Sequence, residues 1–153
     1  MIERRNGTYG ACKYSEKTKS DVREWLKQAD IPTPVNVDKL HTTVIYSRKP
    51  VIALDKPVSG VSFKIKRFDR FETKPGGSTF ALVGVLEAKM LEDIHEKMKL
   101  KGATHDFPEY HPHVTFTYDL PADFDLASLE IPQISFEPVL IYFEPLDLNW
   151  EGT

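Results

Sequence analysis

Two short stretches carry side chains that could move protons. One is His111-Pro-His-Val-Thr-Phe-Thr-Tyr118; a shorter echo, His41-Thr-Thr-Val44, lies upstream. Each contains His-x-Thr followed by an apolar residue. In a β-strand the side chains at i and i+2 share a face. His41 and Thr43 then point one way, and His113 and Thr115 likewise. An imidazole beside a hydroxyl can pass a proton and hold an anionic oxygen. Two such pairs facing one cleft could hold a phosphate between two proton-transfer groups.

The chemistry this permits is phosphodiester cleavage. One neutral imidazole takes a proton from a ribose 2′-hydroxyl, and that oxygen attacks the adjacent phosphorus. The other imidazole, protonated, donates to the departing 5′-oxygen. A positioned acid or base is worth about 10²–10⁴ in rate. Two acting independently would lower the barrier by roughly 5–11 kcal/mol. Thr43 and Thr115 would donate to the non-bridging oxygens as charge accumulates. Histidine suits both roles because its reference pKa is near neutrality.

Other readings of the same residues stand beside this one. The histidines could be ordinary members of two strands. His111 and His113 could ligate a metal, with Asp106 or Asp119 nearby. However, the three or four ligands at distinctive spacings that zinc needs are not evident, and no metal or cofactor is expected. His95 falls beside the apolar face of a helix and reads as structural. His105 lies in a connector and reads as solvated. Gly76-Gly77 reads as a hairpin turn, not a phosphate cradle.

The elements that position the motifs follow from patterning. Gly7 to Tyr14 reads as a strand. Ser15 can cap a helix running to about Ala29, with Val22, Trp25, Leu26 and Ala29 on one face. Ile31-Pro-Thr-Pro-Val35 ends it. His41 to Ser47 is rich in β-branched residues, as a strand should be. Arg48 to Gly60 is turn-rich. Val61 to Lys66 alternates and reads as a half-buried strand continuing to Phe71, and Lys74 to Ser78 makes a turn. Thr79 to Glu87 suits a central strand. Ala88 to Lys101 reads as a helix with Leu91, Ile94 and Met98 on one side, stopped by Gly102. His111 to Tyr118 is the second motif strand. Pro121 to Pro132 is a loop with a short helical turn. Phe136 to about Leu148 reads as one or two final strands, with Pro138 and Pro145 suiting an edge or bulge.

The order strand, helix, proline-bearing connector, His-x-Thr strand occurs twice. His41 follows Asp30 by the same interval as His113 follows Gly102. This pattern predicts a structural duplication. Two similar halves packed about a pseudo-two-fold would bring both motif strands to the centre of one domain spanning residues 1–153.

Composition sets outer bounds. The chain has 153 residues, 41% hydrophobic and 28% charged, ordinary values for a globular protein. The net charge of −3 argues against a grip on long nucleic acid. It leaves room for a small phosphate ligand. Arg4, Arg5, Lys13, Lys17 and Lys19, with Arg48 and Lys49, read mostly as solvated surface. Cys12 is the single cysteine, so no internal disulfide forms and a cytoplasmic setting is expected. No apolar run suits a membrane span, and Met1 to Asn6 lacks the apolar core of a signal peptide.

At these motifs the chain resembles the 2H phosphoesterase superfamily, named for two H-x-[ST]-apolar motifs; the resemblance implies a bilobal, duplicated α+β fold with two antiparallel-rich sheets lining a central cleft and helices outside. Within it the chain is similar to the phage anti-CBASS phosphodiesterases. The supporting stretches are Gly7-Thr-Tyr-Gly10, Val37 to Lys49, Gly102 to Tyr110 with the second motif, and Glu144-Pro-Leu-Asp147. The resemblance implies metal-independent cleavage of cyclic di- and trinucleotides, such as 3′,3′-cyclic GMP-AMP and cyclic triadenylate, in the host cytoplasm. It implies that immunity mediated by those messengers is silenced. It also implies that Tyr9 and Phe71 sandwich the bases and that Glu144 accepts hydrogen bonds from a base edge. Two alternatives remain: an enzyme of linear RNA ends or 2′,5′-linkages, and a sponge that binds nucleotides without cutting them.

Overall fold

A computed structural model describes residues 6–73, 79–105 and 109–147. The turn expected at Lys74 to Ser78, with Gly76-Gly77, lies outside the described residues. So do Arg4, Arg5, Asp106 and Leu148.

The chain begins with β1 (Asn6–Tyr14) and α1 (Glu16–Gln28). Ser15 caps α1: its Oγ accepts from the Thr18 N–H at 3.1 Å. Such a cap stabilises a helix by about 1 kcal/mol. β2 (His41–Ser47), the two-residue β3 (Lys56–Pro57) and β4 (Lys64–Glu72) follow. Next come β5 (Thr79–Glu87), α2 (Lys89–Leu100), β6 (His113–Pro121) and β7 (Pro138–Asp147). Gly102 sits at φ +103° just past α2, a conformation side chains with Cβ resist.

Several expected boundaries move. Val61 to Phe63 is not a continuous strand; only Phe63 bridges to Phe136. The second motif strand starts at His113, not His111, and runs on to Pro121. The C-terminal segment is one strand, not two. It tolerates Pro145 because β3 pairs only with Leu140 and Ile141, so among the described residues no strand meets the outer edge of β7 at Pro145. His105 is not solvated: its ring packs edge-on against His95 at 4.6 Å between centroids.

The strands make two antiparallel sheets, in the orders β2-β1-β7-β3 and β4-β5-β6. The motif strands β2 and β6 are each at the edge of their own sheet and contact each other. The fold is therefore α+β with two sheets meeting at the motif strands. The duplication is visible in the register. β1-α1-β2 and β5-α2-β6 have the same course, and each motif strand pairs antiparallel with the strand before its helix.

The helices cross over. α1, from the first half, covers the second sheet: Trp25 stacks on Phe68 at 5.6 Å and meets Phe116 edge-on at 4.9 Å. Gly84 is required beneath them, since a Cβ there would stand 2.9 Å from the Phe116 ring. α2, from the second half, packs against β2. One continuous core joins both sheets through Val44, Leu82, Leu91, Val114, Phe116 and Ile141. Each such side chain contributes about 1.5–3 kcal/mol on burial.

His95 of α2 is buried among these residues, and its Nδ1–H donates to the Val44 carbonyl at 2.7 Å. Burial holds its pKa below the ordinary histidine value; the Val44 bond and Glu96 oppose that shift and Lys99 adds to it. The unfolded chain therefore binds this proton more readily. The stabilisation from His95 is complete above the ordinary histidine range and is lost as pH falls through it. Tm measured between pH 7.5 and 5 is expected to drop, and His95→Asn is expected to flatten that drop.

Candidate active site

The two motifs place their side chains alike. In both β2 and β6 the first and third residues are half-buried and the second, fourth and fifth are buried, with the sixth exposed. A β-bulge explains this shared pattern. Along β1, Gly10 pairs with Ile45 and Ala11 with Thr43, so Val44 has no partner. Along β5, Leu82 pairs with Thr117 and Val83 with Thr115, so Phe116 has none. The extra residue shifts the alternation by one. Ile45 and Thr117 turn into the core, while Tyr46 and Tyr118 return to the face of the histidines. The repeated unit is therefore His-x-Thr-apolar-x-Tyr, and extending the motif comparison by two residues would have found it.

Both histidines are oriented by the same bond. His41 Nδ1 lies 3.0 Å from the Lys39 carbonyl, and His113 Nδ1 lies 3.0 Å from the His111 carbonyl. A carbonyl only accepts, so Nδ1 carries the proton in each ring. Nε2 is left as the atom that gains or loses one. Fixing the tautomer in this way is what a proton-transfer histidine needs.

The structure brings His41, Thr43, His113 and Thr115 onto one cavity of about 220 Å³. Phe71 lines it too, its ring edge-on to His113 with 6.0 Å between centroids. Ala81, Val83 and Tyr118 complete the wall. Phe71 is 49% exposed and Tyr118 59%, so both rings keep accessible surface at the cavity.

Tyr9 and Glu144 do not line that cavity. Tyr9 reaches it through Thr43, their hydroxyls 3.0 Å apart. With Tyr9 as donor, Thr43 keeps its own O–H for an anion. Burial raises the Tyr9 pKa, with Glu144 adding to the effect, so its phenol stays protonated near neutral pH. Glu144 is exposed and pairs across the strands with Tyr9. Tyr142 stands beside Tyr9 at 6.4 Å between centroids, and Lys13 Nζ lies 5.0 Å over its ring. Burial pushes the Tyr142 phenol up to about 12. Lys13 is the cross-strand partner of His41, which puts one cation on the cleft face of the first sheet.

His111 is exposed, its Nε2 3.0 Å from a Glu109 carboxylate oxygen. It does not line the cavity. Among the described residues no three His, Cys, Asp or Glu side chains gather as metal ligands would. Nor, among them, is any helix long and apolar enough to cross a membrane. Cys12 is buried and its thiol is pushed up to about 12 by burial, so it is not a nucleophile.

Comparison with known proteins agrees with the motifs. The family model described as anti-CBASS protein Acb1 matches residues 6–153. The anti-CBASS protein Acb1 of Acinetobacter phage Ac42 is 38% identical over 95% of this chain and 94% of its own length. That of Enterobacteria phage T4 is 35% identical over 94% of this chain and 91% of its own. The crystal structure of E. coli LigT in apo form aligns over 95% of this chain and 96% of its own, with a TM-score of 0.48 and 14% identity.

The ring geometry gives a direct expectation. ¹⁵N-detected NMR of the ligand-free protein above pH 8 should find His41 and His113 both as the Nδ1–H tautomer. An Nε2–H tautomer at either would contradict the arrangement described.

Proposed function

We start from the premise that the chain belongs to the anti-CBASS Acb1 family, and we propose that it cleaves cyclic di- and trinucleotide messengers without a metal. The substrates proposed are of the class of 3′,3′-cyclic GMP-AMP and cyclic triadenylate. Their loss in the host cytoplasm would remove the signal on which the antiviral response depends. What carries the reading is the pair of imidazoles on one cavity, each with Nδ1 tied to a carbonyl and Nε2 left to act.

In the proposed reaction a phosphate enters between His41 and His113. One ring, neutral at Nε2, accepts the proton of the ribose 2′-hydroxyl. The 2′-oxygen bonds to phosphorus and the bond from phosphorus to the 5′-oxygen breaks. The other ring, protonated, delivers its proton to that leaving oxygen. The immediate product is a linear nucleotide ending in a 2′,3′-cyclic phosphate and a 5′-hydroxyl. Thr43 and Thr115 donate to the non-bridging oxygens, where charge grows most in the transition state. Tyr9 holds Thr43 in place for this.

Base recognition follows the same surface. Phe71, and Tyr9 on the other sheet, offer ring faces for stacking, which tolerates any base. Glu144, exposed beside Tyr9, accepts from a base edge. This selectivity matters because the net charge of −3 gives no general attraction for long nucleic acid.

Incubation with 3′,3′-cyclic GMP-AMP in excess EDTA tests the proposal. Linear product is expected, with kcat/KM bell-shaped in pH. His41→Ala and His113→Ala should each lower kcat by about 10²–10⁴ while the ligand still binds. Intact but sequestered ligand would indicate a sponge. Inertness toward it, with cleavage of linear RNA ends or 2′,5′-linkages, would move the substrate class. Loss of activity on chelation alone would overturn the metal-independent scheme.

A further inference from the structure

The bulges raise a question of support. In a regular strand successive carbonyls turn to opposite edges and are met by neighbouring strands. Thr43 and Val44 straddle the bulge in β2, and side chains take up both of their carbonyls. Tyr110 Oη donates to the Thr43 carbonyl at 2.7 Å. His95 Nδ1 donates to the Val44 carbonyl at 2.7 Å. The two donors are locked together, for the His95 and Tyr110 rings stack 4.1 Å apart at an angle of 7°. His105 packs edge-on against both. Burial raises the Tyr110 pKa, so the phenol remains a donor across the working range.

The equivalent bulge in β6 is held in another way. The Phe116 carbonyl, which corresponds to that of Val44, accepts from the backbone N–H of Val35 at 2.9 Å. Thr117 Oγ1 donates to the Thr33 carbonyl at 2.8 Å, and Pro34 bridges to Thr117. One motif strand is thus fixed by backbone and the other by a pair of aromatic side chains from the opposite half of the chain. Neither His95 nor Tyr110 lines the cavity.

We propose that His95 and Tyr110 form a clamp that positions His41 and Thr43 for the reaction by holding the two carbonyls at the β2 bulge. They are positioning residues: they touch no substrate and set where the first motif's side chains stand. Thr43 is gripped twice, at its carbonyl by Tyr110 and at its hydroxyl by Tyr9. This inference rests on the proposed cleavage for its kinetic form but not for its geometry.

Tyr110→Phe removes the hydroxyl and keeps the ring stack. His95→Leu removes the donor and keeps apolar volume, whereas His95→Asn keeps a donor where Nδ1 stands. With 3′,3′-cyclic GMP-AMP as substrate, Tyr110→Phe and His95→Leu are expected to lower kcat by about 10- to 100-fold, the scale of a small misplacement. Affinity for a non-cleavable phosphorothioate analogue should be unchanged, and His95→Asn should retain most of kcat. A merely structural pair would lower Tm and leave kcat per folded molecule alone; that result overturns the proposal. So does analogue affinity falling in step with kcat. Should His95→Leu fail to fold, Tyr110→Phe carries the test. Should wild-type protein leave the cyclic dinucleotide intact, the functional reading fails separately. The clamp is then judged by the Hε1 NMR resonances of the ligand-free protein: Tyr110→Phe must move that of His41 and leave that of His113 in place, and an unmoved His41 resonance rejects it.

Discussion

The arrangement depends most on a short hydrogen bond made twice, from the Nδ1–H of a histidine to the carbonyl two residues before it. A histidine at the start of an edge strand would otherwise turn freely about χ1 and χ2 and exist as two tautomers. The bond removes both freedoms at once, using only the backbone that leads into the strand. Because the acceptor is local, it survives wherever the strand is placed, and this is why one local sequence can serve both halves. What the rest of the fold must then do is bring two such strands side by side with the right faces opposed.

That task falls to the crossed helices. α1 leaves the first sheet and covers the second, and α2 leaves the second and covers the first. The two sheets share one main core with side chains from both halves, beside a small cluster of Ile45, Met98 and Ala103. Crossing also couples the motif strands through their supports. The connector after α1 grips β6, and the helix and connector after β5 grip β2. A displacement of either half therefore acts on the other half's motif.

Helices, connectors and the motif strands were legible in the sequence because each has a local cause. Ser15 caps, Gly102 stops, the prolines at 32 and 34 break, and the spacing of Val22, Trp25 and Leu26 declares one face. The duplication followed from the repeated order of elements, while the antiparallel sheets came from the family resemblance. The bulges were not legible, since one unpaired residue leaves no mark on composition or propensity. Strict alternation carries Thr117 to the cleft, yet it is fully buried and Tyr118 is exposed there. A connector histidine such as His105 carries no local signal of burial; its packing depends on His95 and Tyr110 being brought to it by the fold. The roles proposed for Tyr9, Phe71 and Glu144 rest on family resemblance, not on any pattern, and only Phe71 of the three lines the cavity.

The duplication is broken at one place that shapes the cavity. Counted from the two histidines, Ala81 stands in the second half where Tyr9 stands in the first. Tyr9 is large, and its hydroxyl fills the space beside Thr43. Ala81 is small and leaves that space open beside Thr115. Most of the cavity's wall accordingly belongs to the second sheet, where Phe71, Ala81, Val83 and Tyr118 line it beside His113 and Thr115. A phosphate held symmetrically by four motif side chains would thus have unequal surroundings. On the second sheet a flanking nucleoside would lie against Phe71 and Tyr118, both exposed. On the first sheet it would face Tyr9, Tyr142 and the Lys13 ammonium, which pack together there. Two imidazoles set alike have no inherent direction, and the exchange of one tyrosine for one alanine makes their surroundings unequal.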